Sequence, residues 1–239
     1  MSDQASPARR RHFLVRLAGL GAAPLLPGAG RAVAADGPSP ATLPPPAGYQ
    51  SLGLEEAALV EQLVNVMCPA DSLTPSGVDC GLAVYIDRQL AGAFGQGAGR
   101  YLAGPWTPAP PQAGPQWPGT PEQHFKAGLR AVSELSLQRH GQPFDLLAPA
   151  LAEQLLQEIQ AGRADGVGFA LGEWFNELLY PLFVQGCFAD PVYGGNAGKV
   201  FWRLIGYPGL PATHSRDMVA YRGKPYPGAA RPAAIPDFS

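Results

Sequence analysis

Apolar residues recur every three or four positions in most of the ordered-looking stretches of this chain, and no run alternates convincingly with polar residues. That spacing predicts α-helices and offers no strand. Leu59, Val60, Leu63, Val64 and Met67 line the first helix. Glu55 and Glu56 fall in its first turn, where carboxylates suit the helix dipole, and Cys68-Pro69 ends it. A shorter second helix covers Val84 to Leu90. The third has the best start signal: Thr120-Pro121-Glu122-Gln123 combines a cap, a proline at the first helical position and a glutamine placed for a capping box. Phe125, Leu129, Val132 and Ser136 follow on one face, and Gly141 stops it. Pro149 opens a fourth helix with Leu151, Leu155, Leu156 and Ile159 facing inward and Gly162 beyond its end. The fifth is the most apolar, with Leu171, Trp174, Phe175, Leu178, Leu179, Leu182 and Phe183 inward and Glu173, Asn176 and Glu177 opposite. Such a helix belongs to a core rather than to a membrane. Pro181 is expected to kink or end it. A sixth runs from Ala197 to Ile205 with Asn196 as its cap. The fold class is therefore all-α: a compact helical domain with long Pro/Gly-rich irregular arms.

The arms follow from composition. Gly 30 and Pro 27 are high for a compact domain and cluster in Pro38 to Pro46, Pro105 to Pro121 and Tyr207 to Ser239. Trp106, Trp117, Tyr221, Tyr226 and Phe238 are spaced within them as apolar anchors. Arms of this kind lie either on their own domain or on a partner's surface. The organisation that results is a signal in residues 1–35, a Pro-rich arm in 36–50, a helical domain in 51–206 and an extended tail in 207–239.

The signal is of the twin-arginine type. Arg9-Arg10-Arg11-His12-Phe13-Leu14 carries the core of such signals, with Arg10, Arg11, Phe13 and Leu14 as the matching positions. A Gly/Ala-rich apolar stretch follows, and Ala32-Val33-Ala34 offers a small-x-small cleavage site. The stretch is broken by Gly19, Gly21, Pro24 and Pro27, and a bilayer span needs about 20 apolar residues, so a removed signal is expected rather than an anchor. Twin-arginine export carries folded proteins, often with cofactors installed, and it places this chain in the periplasm. Five of the 17 basic residues and one of the 19 acidic residues lie in residues 1–35, which leaves 12 basic, 18 acidic and a net charge of −6 for the rest. That balance argues against a nucleic-acid partner and offers no polybasic patch for anionic lipid. Any membrane association is expected only through a complex.

Cofactor chemistry finds little support within the chain. Gly95-Gln96-Gly97-Ala98-Gly99 and Gly166-Val167-Gly168 lack the spacing and the preceding strand of a nucleotide loop. There is no Cys-x-x-Cys-His for covalent haem, no iron–sulfur spacing, no His-Glu-x-x-His pair and no Gly-x-Ser-x-Gly elbow. A stand-alone periplasmic enzyme would have to build a metal site from Asp71, Asp79, His124 or His140, which show no convergent spacing. Capping aspartates, and a histidine suited to the end of its helix, account for three of these as well. Cys68, Cys80 and Cys187 are an odd number for an oxidising compartment. Cys68 and Cys80 are spaced to close a short loop. Cys187 is then free, buried and inert, or paired with another chain.

The strongest local feature is Gly186-Cys187-Phe188-Ala189-Asp190-Pro191-Val192-Tyr193-Gly194-Gly195-Asn196. It reads as a helix exit, a proline-fixed extended step and a Gly-Gly turn into a capped helix. Asp190 is placed to accept backbone hydrogen bonds across the turn, and Trp202 to pack beneath it. By pattern alone this is a tight interhelical turn.

This segment resembles the Phe-x-Asp-Pro-x-Tyr/His-Gly-Gly-Asn turn of the gluconate 2-dehydrogenase subunit 3 (gamma, or small subunit) family. The likeness continues through Lys199-Val200-Phe201-Trp202-Arg203-Leu204-Ile205-Gly206-Tyr207-Pro208-Gly209, Tyr85 to Leu90 and Tyr101 to Trp106, spanning roughly Leu54 to Gly209. The resemblance implies a noncatalytic subunit that binds a large flavoprotein of the glucose-methanol-choline type, helps it mature and travels with it through the twin-arginine pore. FAD and the catalytic residues then belong to that partner, and haem c to a multihaem cytochrome c third subunit. The turn residues Cys187, Phe188, Asp190, Pro191, Tyr193, Gly194, Gly195 and Asn196, with Trp202, are expected near the contact surface. A general periplasmic interaction protein with no oxidoreductase tie is the remaining alternative.

Overall fold

The computed structural model describes residues 48–107, 114, 117–164, 167–211 and 213–238. The signal residues Arg10, Arg11, Phe13 and Leu14 and most of the Pro-rich arm lie outside them. Helix α1 (Leu54–Met67) opens with Glu56 Oε2 accepting the Gly53 N–H at 3.0 Å and buries Leu59, Val60, Leu63, Val64 and Met67, as the spacing predicts. Helix α2 (Leu82–Ala91) is slightly longer than expected. Helix α3 (Pro121–His140) has the reciprocal box: Thr120 Oγ1 accepts from Gln123 N at 3.3 Å, and Gln123 Oε1 from Thr120 N at 3.1 Å. Gly141 closes it in the left-handed region, φ 72°. Helix α4 (Pro149–Gln160) buries Ala152, Leu155, Leu156 and Ile159. Leu151, expected inward, is exposed, because the face that starts at Ala152 already satisfies the i, i+3, i+4, i+7 pattern.

The most apolar segment continues past its proline. Helix α5 (Leu171–Trp174) passes into a π-helical turn, Phe175–Leu179, and then into helix α6 (Tyr180–Phe188). Pro181 lacks an amide proton, and its ring crowds the carbonyl four residues back. The wider π turn immediately before it relieves that crowding without ending the helix.

Helices α1, α3, α4 and α5 pack around one apolar centre, and α2 lies along α6. Trp174 is the largest fully buried side chain. Its Nε1 donates to the Phe125 carbonyl at 3.2 Å, its ring packs on Phe125, and it occupies the space that a side chain at Gly128 would need. The described residues contain no strand; Gly209 and Ala233 form an isolated parallel bridge.

One polar group in the core was not singled out for any role by the sequence pattern. Asp87, 2% exposed, accepts three backbone N–H groups, from Gln50 at 2.7 Å and from Ser51 and Leu52 at 2.9 Å each. A buried carboxylate is tolerated when its lone pairs are filled in this way. It fixes the approach of the chain to α1. Ser51 Oγ and Lys126 Nζ also hydrogen-bond Glu122, which holds that carboxyl below its usual range, Ser51 being the larger cause.

Candidate functional site

The 186–196 segment is built where α2 begins and α6 ends. Asp190 Oδ1 accepts Val192 N at 3.0 Å, closing an Asx turn over the short 3-10 element Pro191–Tyr193. Asp190 Oδ2 accepts Ile235 N at 2.9 Å, so the same carboxylate ties the C-terminal tail to the turn. Gly194 leaves the turn at φ 102°. Gly195 lies so close to α6 that a Cβ would sit 2.4 Å from the Gly186 carbonyl oxygen. Gly81, at φ 76° just before α2, receives the Gly194 carbonyl where its own Cβ would stand, 2.1 Å away. The Ala197 N–H then donates to Cys80 O at 3.0 Å.

Asn196 is fully buried and uses both ends of its amide. Nδ2 donates to Ala189 O at 3.2 Å, and Oδ1 accepts Phe201 N at 3.0 Å. It caps a helix that starts later than expected. Asn196, Gly198 and Lys199 all have positive φ, and regular α7 (Val200–Ile205) begins only after them. Trp202 Nε1 donates to Phe188 O at 2.8 Å, and its ring packs edge-on against Tyr207.

The tail is irregular but returns to this region. It carries the short helix α8 (Ser215–Ala220) and the 3-10 turns Pro227–Ala230 and Ile235–Phe238. Lys199 Nζ holds Pro232 O at 2.9 Å and pairs with Asp237. Around the turn the interior is closed and the outside is apolar. Phe188, Val192, Tyr193, Leu204, Ile205 and Tyr207 are exposed, joined by Ile235 and Phe238 from the tail, with Ile205 60% and Phe238 72% accessible.

The candidate metal ligands from the sequence are not brought together. Asp71 Oδ1 caps its own loop through Leu73 N and Thr74 N, and Asp79 is bonded by Ser76 Oγ at 2.7 Å. Among the described residues no group of three His, Cys, Asp or Glu side chains is arranged to hold a metal ion. His124 is stacked on Trp117 at 3.9 Å between ring centroids and contacts Phe169. Arg100 lies 3.4 Å over the other part of this stack, beside a cleft of about 450 Å³ lined by Phe94, Tyr101, Trp106 and Glu177. Burial, and then the Arg100 charge, lower the His124 pKa to about 4. The unfolded chain therefore binds a proton that the folded chain refuses between pH 6.5 and 4. The neutral ring's stabilisation is complete above pH 6.5 and is lost as pH falls towards 4. Allowing for solvent screening at a half-buried site, about 1–2 kcal/mol is involved. Thermal melts from pH 7.5 to 4.5 are expected to show this loss, and His124→Gln to flatten it.

The family model described as Gluconate 2-dehydrogenase subunit 3 matches residues 54–209, from the start of α1 to just beyond α7. The chain belongs to the gluconate 2-dehydrogenase subunit 3 family. No curated protein and no solved structure gives a significant match. Membership in the gluconate 2-dehydrogenase subunit 3 family implies a subunit of that dehydrogenase complex, associated with its other subunits. The matched span contains the turn, its docking glycine Gly81 and Asp87. No helix among the described residues is long and apolar enough to cross a membrane.

The turn was readable in the sequence as a turn, but its seat was not. Gly81 follows Cys80 with no local mark of its partner more than a hundred residues away. Asp87 did leave a signal: it stands on the same helical face as the buried Ala83, Ile86 and Leu90, where an acid needs a reason.

Proposed function

We propose that this chain is the noncatalytic small subunit of an exported, flavin-dependent sugar or sugar-acid dehydrogenase. It escorts a large glucose-methanol-choline-type flavoprotein through maturation and twin-arginine export and stays bound to it in the periplasm, at the outer face of the inner membrane. FAD and the catalytic residues reside in that partner, and a multihaem cytochrome c supplies haem c as a third subunit. The observation that carries this reading is the family match across the helical body.

The apolar surface around the turn is the contact that fits. Its residues sit on elements that pack against one another, the Pro191–Tyr193 turn, α7 and the returning tail. The turn beneath is pinned by the buried Asn196 side chain, which bonds Ala189 O and Phe201 N, so the surface is presented without a large ordering cost. Exposed apolar surface of this kind marks protein contacts more often than solvent faces do.

The test is co-purification from periplasm with a tag on this chain. The unaltered chain is expected to bring down the flavoprotein. Tyr193→Asp with Ile205→Asp, both exposed, is expected to keep the helical circular-dichroism spectrum and lose at least tenfold of the bound partner. Full retention of the partner by that variant would remove this surface from the reading.

A further inference from the structure

We propose that Cys68 and Cys80 form a dithiol site that thiol–disulfide exchange closes into an intrachain disulfide, stapling the end of α1 to the start of α2 and leaving Cys187 as a thiol. The inference rests on the packing of the 68–80 loop and is independent of the assigned subunit role.

Cys68 is the residue that ends α1, and Cys80 stands just before α2; both are buried. Their sulfurs lean on the same acceptor, the Pro75 carbonyl, at 3.7 Å each. The loop that brings them there is tightly built. Gly77 N donates to Cys68 O at 2.8 Å, Cys80 N to Ser76 O at 2.9 Å, and Val78 N to Asn65 Oδ1 at 3.0 Å. Gly77 presses on α1 so closely that a Cβ would lie 2.3 Å from the Val64 carbonyl oxygen. The two thiols therefore meet because the fold places them, not because a loose loop wanders.

The three thiols are not equivalent. The Cys80 S–H and, less strongly, the Thr74 hydroxyl favour ionisation of Cys68, whereas Cys80 itself is pushed up by its hydrogen bond with Cys68 and then by burial. Cys187 is pushed up chiefly by burial. Since the thiolate is the nucleophile, Cys68 is the attacking sulfur. The loop atoms against its sulfur are Thr74 Oγ1 at 3.8 Å and the Pro75 carbonyl at 3.7 Å, and this stretch must part to admit the reagent.

The step balances against a disulfide-bearing oxidant. The Cys68 thiolate attacks one oxidant sulfur, forming a mixed disulfide and expelling one thiolate. Cys80 loses its proton to solvent and attacks the Cys68 sulfur, expelling the second. Two thiols are oxidised to one disulfide, the oxidant disulfide is reduced to two thiols, and the sulfurs leave the Pro75 carbonyl to bond at about 2.05 Å.

The experiment equilibrates the purified full-length chain with oxidised and reduced glutathione, quenches with acid, denatures and alkylates with N-ethylmaleimide. Expected are loss of the mass of two hydrogens, a peptide joining Cys68 to Cys80, and one maleimide, on Cys187. The oxidised chain should melt several degrees higher, because the crosslink restricts the unfolded state. Cys187→Ser should form the same bridge and take up no maleimide. Three maleimides per chain under fully oxidised glutathione, a bridge containing Cys187, or a disulfide-linked dimer would each overturn the proposal.

Discussion

Gly195→Val is expected to unfold this protein. A Cβ at that position would lie 2.4 Å from the Gly186 backbone oxygen, and neither side of the contact is a flexible side chain that can swing away. Gly186 is itself buried in α6 against Tyr85 of α2, so relief requires separating the turn from both helices. The expected loss is about 4–5 kcal/mol or more, a large part of the stability of an ordinary domain. Adding Gly194→Val imposes a branched side chain at φ 102° and makes recovery less attainable. Gly198→Ala is the informative control. Gly198 also has positive φ, 63°, but only the far end of Arg203 lies near its Cβ position. It should cost only the left-handed backbone penalty, about 1–2 kcal/mol. Chemical denaturation of the three variants checks the ordering; a folded Gly195→Val chain with near-normal stability would mean that the turn does not seat as described. In a producing cell the same variant should also abolish export of the partner.

The second large effect reverses a general rule. Glycine to alanine inside a helix normally stabilises by roughly 1 kcal/mol. Gly128→Ala in α3 is expected instead to destabilise by about 3 kcal/mol, because the new methyl would lie 2.1 Å from Trp174 Nε1. Trp174 cannot retreat without losing its hydrogen bond to Phe125 O and its packing at the centre of α3, α4 and α5. Trp174→Leu alone should cost about 3 kcal/mol by opening a cavity. Combined, the two changes are expected to cost clearly less than their sum, since the leucine vacates the space the alanine needs. Urea melts of the single and double variants measure this coupling, and strict additivity would show that the two residues do not compete.

What the sequence revealed and what it hid divide along one physical line. The start and stop of α3 were legible because Thr120, Pro121, Gln123 and Gly141 act on their own backbone neighbourhood. The Asp190–Asn196 turn was legible for the same reason, including the Asx bond that Asp190 accepts from Val192 N. The second oxygen of Asp190 serves Ile235, and the seat of the turn is Gly81; neither contact leaves a local trace. The sequence marks Asn196 as a cap, and its Oδ1 does accept Phe201 N, but a left-handed stretch through Lys199 delays the helix. Leu151 suits the core by residue type, but its angle on α4 turns it to solvent. The proline in the long apolar segment could be weighed only as a disruption, since the compensating π turn depends on tertiary packing.

Family membership rests on the helical body, whereas the escort role rests on a partner that must be found. The direct measurement is the flavin content of material purified from periplasm through a tag on this chain. A yellow complex is expected, in which flavin and a second, larger polypeptide accompany each copy of the tagged chain. A colourless, monomeric chain that oxidises a sugar acid without any second protein would contradict it.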